Sequence, residues 1–179
     1  MATRFYLEAA ASGATLGGGD PTLTPAFDGA WGVTTSAVRR WLTTTKLGTA
    51  TTTTGALTET SASAVNRLFA QFISAPLATQ TIDGTVKGQI AMLEGSADAD
   101  ARAQMVVWVM QPDGSSRGTL LAADDASGLS SEFSSSALTN RTLPLAATAP
   151  ATLTTLSTVT AGDRLVVEIG ARVHNATAT

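Results

Sequence analysis

The sequence predicts an all-β protein, an antiparallel β-sandwich of jelly-roll type with an extended N-terminal arm, and three observations carry that expectation. First, the stretch Ala161–Val173 sorts its side chains with period 2: Leu165, Val167, Ile169, Ala171 and Val173 fall on one side, Arg164, Glu168, Gly170 and Arg172 on the other. That is the pattern of a half-buried antiparallel strand. Second, Thr81–Met92 repeats the alternation, with Ile82, Val86, Ile90 and Met92 set against Asp83, Thr85, Lys87 and Gln89, while Ala103–Met110 is apolar on both faces and reads as a central strand. Third, only 14% of the residues are charged, against about 25% in ordinary globular domains. Thr, Ala, Ser and Gly fill the difference, and the Glu-, Lys-, Leu- and Arg-rich runs that sustain long helices are missing.

Taken in order, the chain divides into an arm at residues 1–35 and a sandwich at 36–179. Thr3–Leu7 fits a short strand, and Gly17-Gly18-Gly19-Asp20-Pro21 has no periodicity and reads as a loop. A phosphate cradle needs a strand before such glycines, a helix after them and a spaced Lys, none of which is present. Phe27 and Trp31 then stand out in a small-residue segment, as anchors either onto the chain's own sandwich or onto a neighbouring subunit. Ser36–Lys46 reads as the first long strand, with Val38, Arg40 and Leu42 alternating against Arg39, Trp41 and Thr43. An Arg beside a Trp either stacks a sugar or base ring or covers apolar surface with its stem. The Thr-rich bridge Leu47–Ser63 favours extended backbone.

Ala64–Pro76 reads as the second long strand. Val65, Leu68, Phe69, Phe72 and Ile73 also fit one helical stripe, but the β context and Pro76 favour strand. Glu94–Asp100 reads as a solvated acidic turn, because Glu94, Asp98 and Asp100 fall short of the oxygen frame that calcium requires. Gln111-Pro112-Asp113-Gly114-Ser115 is the strongest turn signal, returning the chain through a strand at Arg117–Ala122. A polar excursion at Ala123–Ser136, shorter extended pieces at Leu138–Leu145 and Ala151–Thr160, and a Gly162-Asp163 turn lead into the last strand. With the chain stopping soon after it, this strand is expected to leave a sheet edge for something else to cover.

Bulk properties narrow the function classes. The length of 179 residues suits one domain, or one domain plus an arm. Net charge is −3 and no basic cluster exceeds Arg39-Arg40, so the footprint for nucleic acid is missing. Without cysteine there are no disulfides and no sulfur-ligated metals. Neither a leader segment nor an apolar run of membrane-spanning length is found, so a soluble, cytoplasmically made chain is expected, without a membrane partner. The only histidine, His174, has no orienting acid or nucleophile in a recognisable pattern. The acids Asp20, Asp28, Asp98, Asp100, Asp113, Asp124 and Asp125 are scattered or sit in turns. The expectation is a non-enzymatic protein with no catalytic residue, cofactor or metal, whose partner-binding candidates are Phe27, Trp31, Arg39, Arg40 and Trp41.

Several pieces together resemble a family of small virion structural proteins of tailed bacteriophages. They are Thr3-Arg4-Phe5-Tyr6-Leu7, Pro25-Ala26-Phe27-Asp28 with Trp31, Ala37-Val38-Arg39-Arg40, Asn66-Arg67-Leu68-Phe69 with Gln71-Phe72, Gly84-Thr85-Val86-Lys87-Gly88-Gln89, Arg117-Gly118-Thr119-Leu120-Leu121, and Gly162–Gly170. They span most of the chain and none is a catalytic signature, so no site residue is carried over from the family. Similar sequences tend to continue past the last strand, whereas this one stops at Thr179. The resemblance implies a virion component assembled in the bacterial host cytoplasm, most simply a decoration or cement protein on the outer surface of the capsid. Its partners would be the major capsid protein or other virion proteins, and it would be a homo-oligomer, with a trimer favoured. The alternative is a head-fibre, tail or receptor-contact module that binds carbohydrate through Trp41, Trp108 or the polar loops. A small glycan hydrolase using an acid such as Asp124 is a further rival.

Overall fold

A computed structural model of the chain describes residues 3–7, 25–35, 37–45, 62–123, 132–143 and 151–173. The glycine run at 17–19, Asp124, Asp125, His174 and most of the Thr-rich bridge lie outside these residues. All regular structure among the described residues is β: β1 (Tyr6–Leu7), β2 (Val38–Thr43), β3 (Val65–Ser74), β4 (Gln80–Ile82), β5 (Thr85–Val86), β6 (Gly88–Met92), β7 (Ala101–Met110), β8 (Ser116–Leu121), β9 (Thr139–Leu143), β10 (Ala151–Thr152), β11 (Leu156–Val159) and β12 (Arg164–Val173).

Six strands form one curled sheet in the order β1-β2-β3-β12-β7-β8. The remaining strands pair as three short ribbons, β10 with β5, β11 with β4 and β6 with β9. The sheet is mixed, not purely antiparallel as the sequence suggests, because β2 runs parallel to β3 with Val38 opposite Ala70 and Trp41 opposite Ile73. Parallel neighbours need a long crossover, and the sequence between Thr43 and Val65 is long enough for one. Thr81–Met92 is likewise not one strand. It breaks at Gly84, whose φ of 91° suits a residue without a side chain, and becomes β4, β5 and β6.

Two apolar cores lie on the two faces of the sheet. On one face Leu42, Phe72, Met105, Val107, Val109, Leu165 and Ile169 pack with Leu120, Phe133 and Val159, and Ile82, Val86, Ile90, Met92, Leu153 and Leu156 of the ribbon region close over them. On the other face Leu68, Ile73, Val106, Trp108, Met110 and Val166 pack with Trp31. Both faces of β12 are therefore covered, which overturns the half-buried reading of that strand. Val166 and Glu168 are fully buried although alternation places them on the side with Arg164 and Arg172.

Local turn chemistry shapes the connections from β7 to β8 and from β11 to β12. At Gln111–Ser115, Gln111 N donates to Ser115 O at 2.8 Å, Gly114 takes φ 90°, and Asp113 Oδ1 accepts from Ser115 N at 2.9 Å. Before β12, Thr160 N donates to Asp163 Oδ2 at 2.8 Å around Gly162. Asp163 is completely buried, and Arg117 from β8 forms an ion pair with it, Arg117 Nη2 donating to Oδ1 at 3.0 Å. Burial works to raise the Asp163 pKa, but the Arg117 and Thr160 bonds outweigh it and hold the group below its ordinary range.

Candidate functional site

Residues 25–35 run as a strap across the face of the sheet that the alternation pattern leaves to solvent. A local reason for its path is the Asp28-Gly29 turn: Asp28 Oδ1 accepts from Ala30 N at 2.9 Å and Asp28 O from Trp31 N at 3.2 Å. The turn aims the Trp31 indole at the sheet and leaves the Asp28 N–H facing β12. Further along, Val33 bridges to Arg67 in parallel fashion, with Val33 N donating to Asn66 O at 3.1 Å and Leu68 N to Val33 O at 2.9 Å. This part of the predicted arm is thus laid on the body of the protein.

Glu168 is the centre of this contact. Its carboxylate accepts from Trp31 Nε1 at 2.7 Å, Gln71 Nε2 at 2.8 Å and Asp28 N at 3.2 Å to each oxygen. The donors come from two pieces of chain far from β12 in sequence, the strap and β3, and each is a neutral N–H group. Burial raises the Glu168 pKa above the usual carboxylate range, and the bonds from Gln71, Trp31 and Asp28 offset that only in part. The Trp108 indole adds a weaker pull toward the charged form, its buried Nε1–H lying outside hydrogen-bonding geometry.

Arg39 extends the network outward. Its Nε donates to Gln71 Oε1 at 3.0 Å, its Nη2 to Pro25 O at 2.7 Å, and its guanidinium sits 4.3 Å from the centre of the Phe27 ring. Gln71 is thereby fixed at both ends, acceptor toward Arg39 and donor toward Glu168. The fit is close at Gly170, where a Cβ would fall inside contact distance of the Arg67 carbonyl and the Trp31 ring. The ladder between β12 and β3 also shifts register between Ile169 and Gly170, making room for the indole.

Of the five sequence-derived partner-binding candidates, Phe27, Trp31 and Arg39 meet in this network. Trp31 is 6% exposed and committed to its own sheet, while Phe27 is half-buried under an exposed Arg39. Trp41 lies on the same side of β2, half-buried beside Arg164 at 5.7 Å, and Arg164 is tied by Nη1 to Ser74 O at 2.8 Å. Arg40 points to the opposite side, in register with Phe72. Trp108 is 4% exposed, so the sugar-gripping role the sequence allows it has no surface in this fold.

Sequence reasoning missed Glu168, which it placed on a solvated face. The available signal was a single acid inside the apolar run Leu165–Val173. It also missed Glu94, read as part of a solvated turn but only 5% exposed. Glu94 Oε1 accepts from Ala101 N at 2.8 Å, and its backbone N donates to Ser134 O at 3.1 Å. Burial, together with the charges of Glu132 and Asp100, raises its pKa to about 7 against the pull of the Ala101 bond.

The arrangement around Glu168 orients and locks chain; it offers no nucleophile next to a base. Among the described residues no group of three or more His, Cys, Asp or Glu is disposed to hold a metal ion, and no helix is long and apolar enough to cross a membrane. Compared with protein-family models, characterised proteins and solved structures, the chain matches none.

Proposed function

We propose that this chain is a non-enzymatic structural component of a tailed-phage virion, a decoration or cement protein on the outer face of the capsid, and that its curled sheet and ribbons are the two layers of a jelly-roll-like sandwich. The ribbon residues Ile82, Val86, Ile90, Met92, Leu153 and Leu156 pack onto the sheet as a second layer would. The observation that supports a passive role most directly is that both faces of the central strands are filled by the chain's own side chains. What remains for recognition is the outer surface. The segments that carry the virion-protein resemblance supply this framework: Pro25–Asp28 and Trp31 form the strap, Asn66–Phe72 lies in β3, Arg117–Leu121 in β8 and Gly162–Gly170 leads into and along β12. On a symmetric shell, many weak contacts by such a body add up through multivalency, and homo-oligomers, trimers at shell three-fold positions foremost, fit that geometry.

Quantitative mass spectrometry of purified particles tests the reading, with a cryo-EM map to locate the copies. A copy number matching the shell lattice is expected; a few copies at a tail tip would replace it with an adhesion role. Attachment by the arm is tested by removing residues 1–24, a cut that also takes β1 from the sheet edge and Phe5 from the core, so urea unfolding must first show the shortened chain folded. Removing 1–35 would also take away Trp31 and the Asp28 N–H and leave Glu168 buried without those donors.

A further inference from the structure

Three Asp-Gly pairs occur in the chain, Asp28-Gly29, Asp83-Gly84 and Asp113-Gly114. Such a peptide is prone to backbone isomerisation, because a glycine amide carries no side chain to hinder its approach to the preceding carboxyl group. Space does not separate the three, since a Cβ added at Gly29, Gly84 or Gly114 would have nothing within 4 Å. Hydrogen bonding does. Asp113 Oδ1 accepts from Ser115 N at 2.9 Å and Ser115 Oγ at 2.6 Å, and Gly114 N donates to Gln111 O at 3.0 Å. The Ser115 bonds also lower the Asp113 pKa and keep its carboxylate ionised, a poor electrophile. Asp28 Oδ1 accepts from Ala30 N at 2.9 Å, and the peptides around it are held by Glu168 and Trp31. Both carboxylates are thus turned toward the N–H two residues on, and must give up those bonds to reach their own glycine amide. Asp83 is exposed, as is Gly84, and it makes no hydrogen bond or ion pair with another described residue. Gly84 N donates no backbone bond among the described residues; only its carbonyl is held, by Leu153 N at 2.8 Å.

We propose that Asp83-Gly84 is a site of spontaneous covalent modification, where the folded chain converts to isoaspartate, and that the fold protects the other two pairs. Gly84 N bonds to Asp83 Cγ and gives up its proton while the carboxyl group loses its hydroxyl, so one water leaves and a cyclic succinimide closes. Water then opens the ring at one of its two carbonyls. Opening on the Cγ side restores aspartate; opening on the other side sends the main chain through Cβ and Cγ and frees the α-carboxylate. Nothing is oxidised or reduced, and water is the only co-reactant. The isoaspartyl form adds a carbon to the main chain at the corner between β4 and β5. On either side of that corner Ile82 and Val86 pack onto the core, and Thr85 lies opposite Thr152 in the short β5–β10 ladder. Lengthening the corner displaces the Gly84–Leu153 bond and loosens that ladder, so the modification acts on the ribbon layer and leaves the six-stranded sheet in place.

The test is prolonged warm incubation of the purified full-length chain at neutral pH, native and in urea, with isoaspartate mapped by electron-transfer fragmentation mass spectrometry and succinimide read as an intact mass lower by one water. Dividing each pair's native rate by its rate in the unfolded chain removes the influence of neighbouring sequence. That ratio is expected to be at least about fivefold higher at Asp83 than at Asp28 or Asp113, the factor that one hydrogen bond of ordinary net strength supplies. Asp83→Glu, whose longer side chain disfavours ring closure, should lose the signal at that peptide and keep the slow rates at the other two. Equal ratios at the three pairs, or a higher one at Asp28 or Asp113, would overturn the assignment, as would a native chain that gains no isoaspartate at position 83.

Discussion

The strap across β12 and the tip of the β6–β9 ribbon each bury a glutamate, and they treat it in opposite ways. Glu168 meets only N–H donors, from Trp31, Gln71 and Asp28, each of them distant from it in sequence. Glu94 meets one backbone N–H and two acids, Glu132 and Asp100. A buried carboxylate with several donors ties chain together, because losing any donor exposes the cost of its burial. A buried carboxylate among like charges is poorly satisfied by its own molecule. The first site is turned inward to hold the fold; the second holds a carboxyl group that burial and its acidic neighbours push toward the protonated form.

Removing the strap's contact should therefore produce the largest loss of stability. Trp31→Ala opens a cavity between Leu68 and Val166 and takes away the shortest bond to Glu168. The expected cost is about 3–5 kcal/mol, the range for truncating a buried aromatic. Trp31→Phe restores most of the volume but not the N–H, so it should recover only part of that loss. Urea unfolding of the two variants checks this; a Trp31→Phe protein as stable as wild type would show that packing, not the carboxylate cage, holds the strap.

Gly170→Ala sharpens the same side of the comparison with a smaller expected effect. The added methyl falls against both the Arg67 backbone carbonyl and the Trp31 ring, and a carbonyl within a ladder has little room to give. Overpacking of this kind costs roughly 1–3 kcal/mol. Near-UV circular dichroism of the tryptophans is expected to change along with the unfolding midpoint, because the methyl pushes on the indole itself. An unchanged spectrum with lowered stability would place the strain in the β3–β12 ladder alone.

How much of this was legible in the sequence follows from the range of the interactions. β7, β3 and β12 are visible because alternation, apolar runs and β-branched residues act locally, and Pro112-Asp113-Gly114 announces its turn in consecutive residues. Alternation also separates Arg40 from Arg39 and Trp41 correctly. The break at Gly84 had a local sign, the Asp83-Gly84 pair, which the alternation of Thr81–Met92 masked. The burial of Glu168 had almost none. Whether the second face of β12 is wet depends on a strap about 140 residues earlier, and period 2 reports which face a side chain takes, not what covers that face. The parallel pairing of β2 with β3 is equally a product of topology.

The smallest of these effects on stability lies at the tip and is read by pH. Because Glu94 has a folded pKa of about 7 against an ordinary 4.5, the native state holds a proton that the unfolded chain releases between those values. Stability then falls as pH rises from about 4.5 to about 7 and is flat above. Glu94→Gln removes the titrating group while keeping an oxygen for the Ala101 N–H. The variant should match wild type near pH 4.5 and exceed it by roughly 1–2 kcal/mol at pH 8, a size consistent with a partly solvated site. Glu168, also shifted upward, tilts both proteins alike, so the difference between them at each pH isolates Glu94. Urea midpoints at half-unit pH steps provide the measurement. A parallel pair of curves would mean that Glu94 is charged without penalty, and the two buried glutamates would then differ only in their donors.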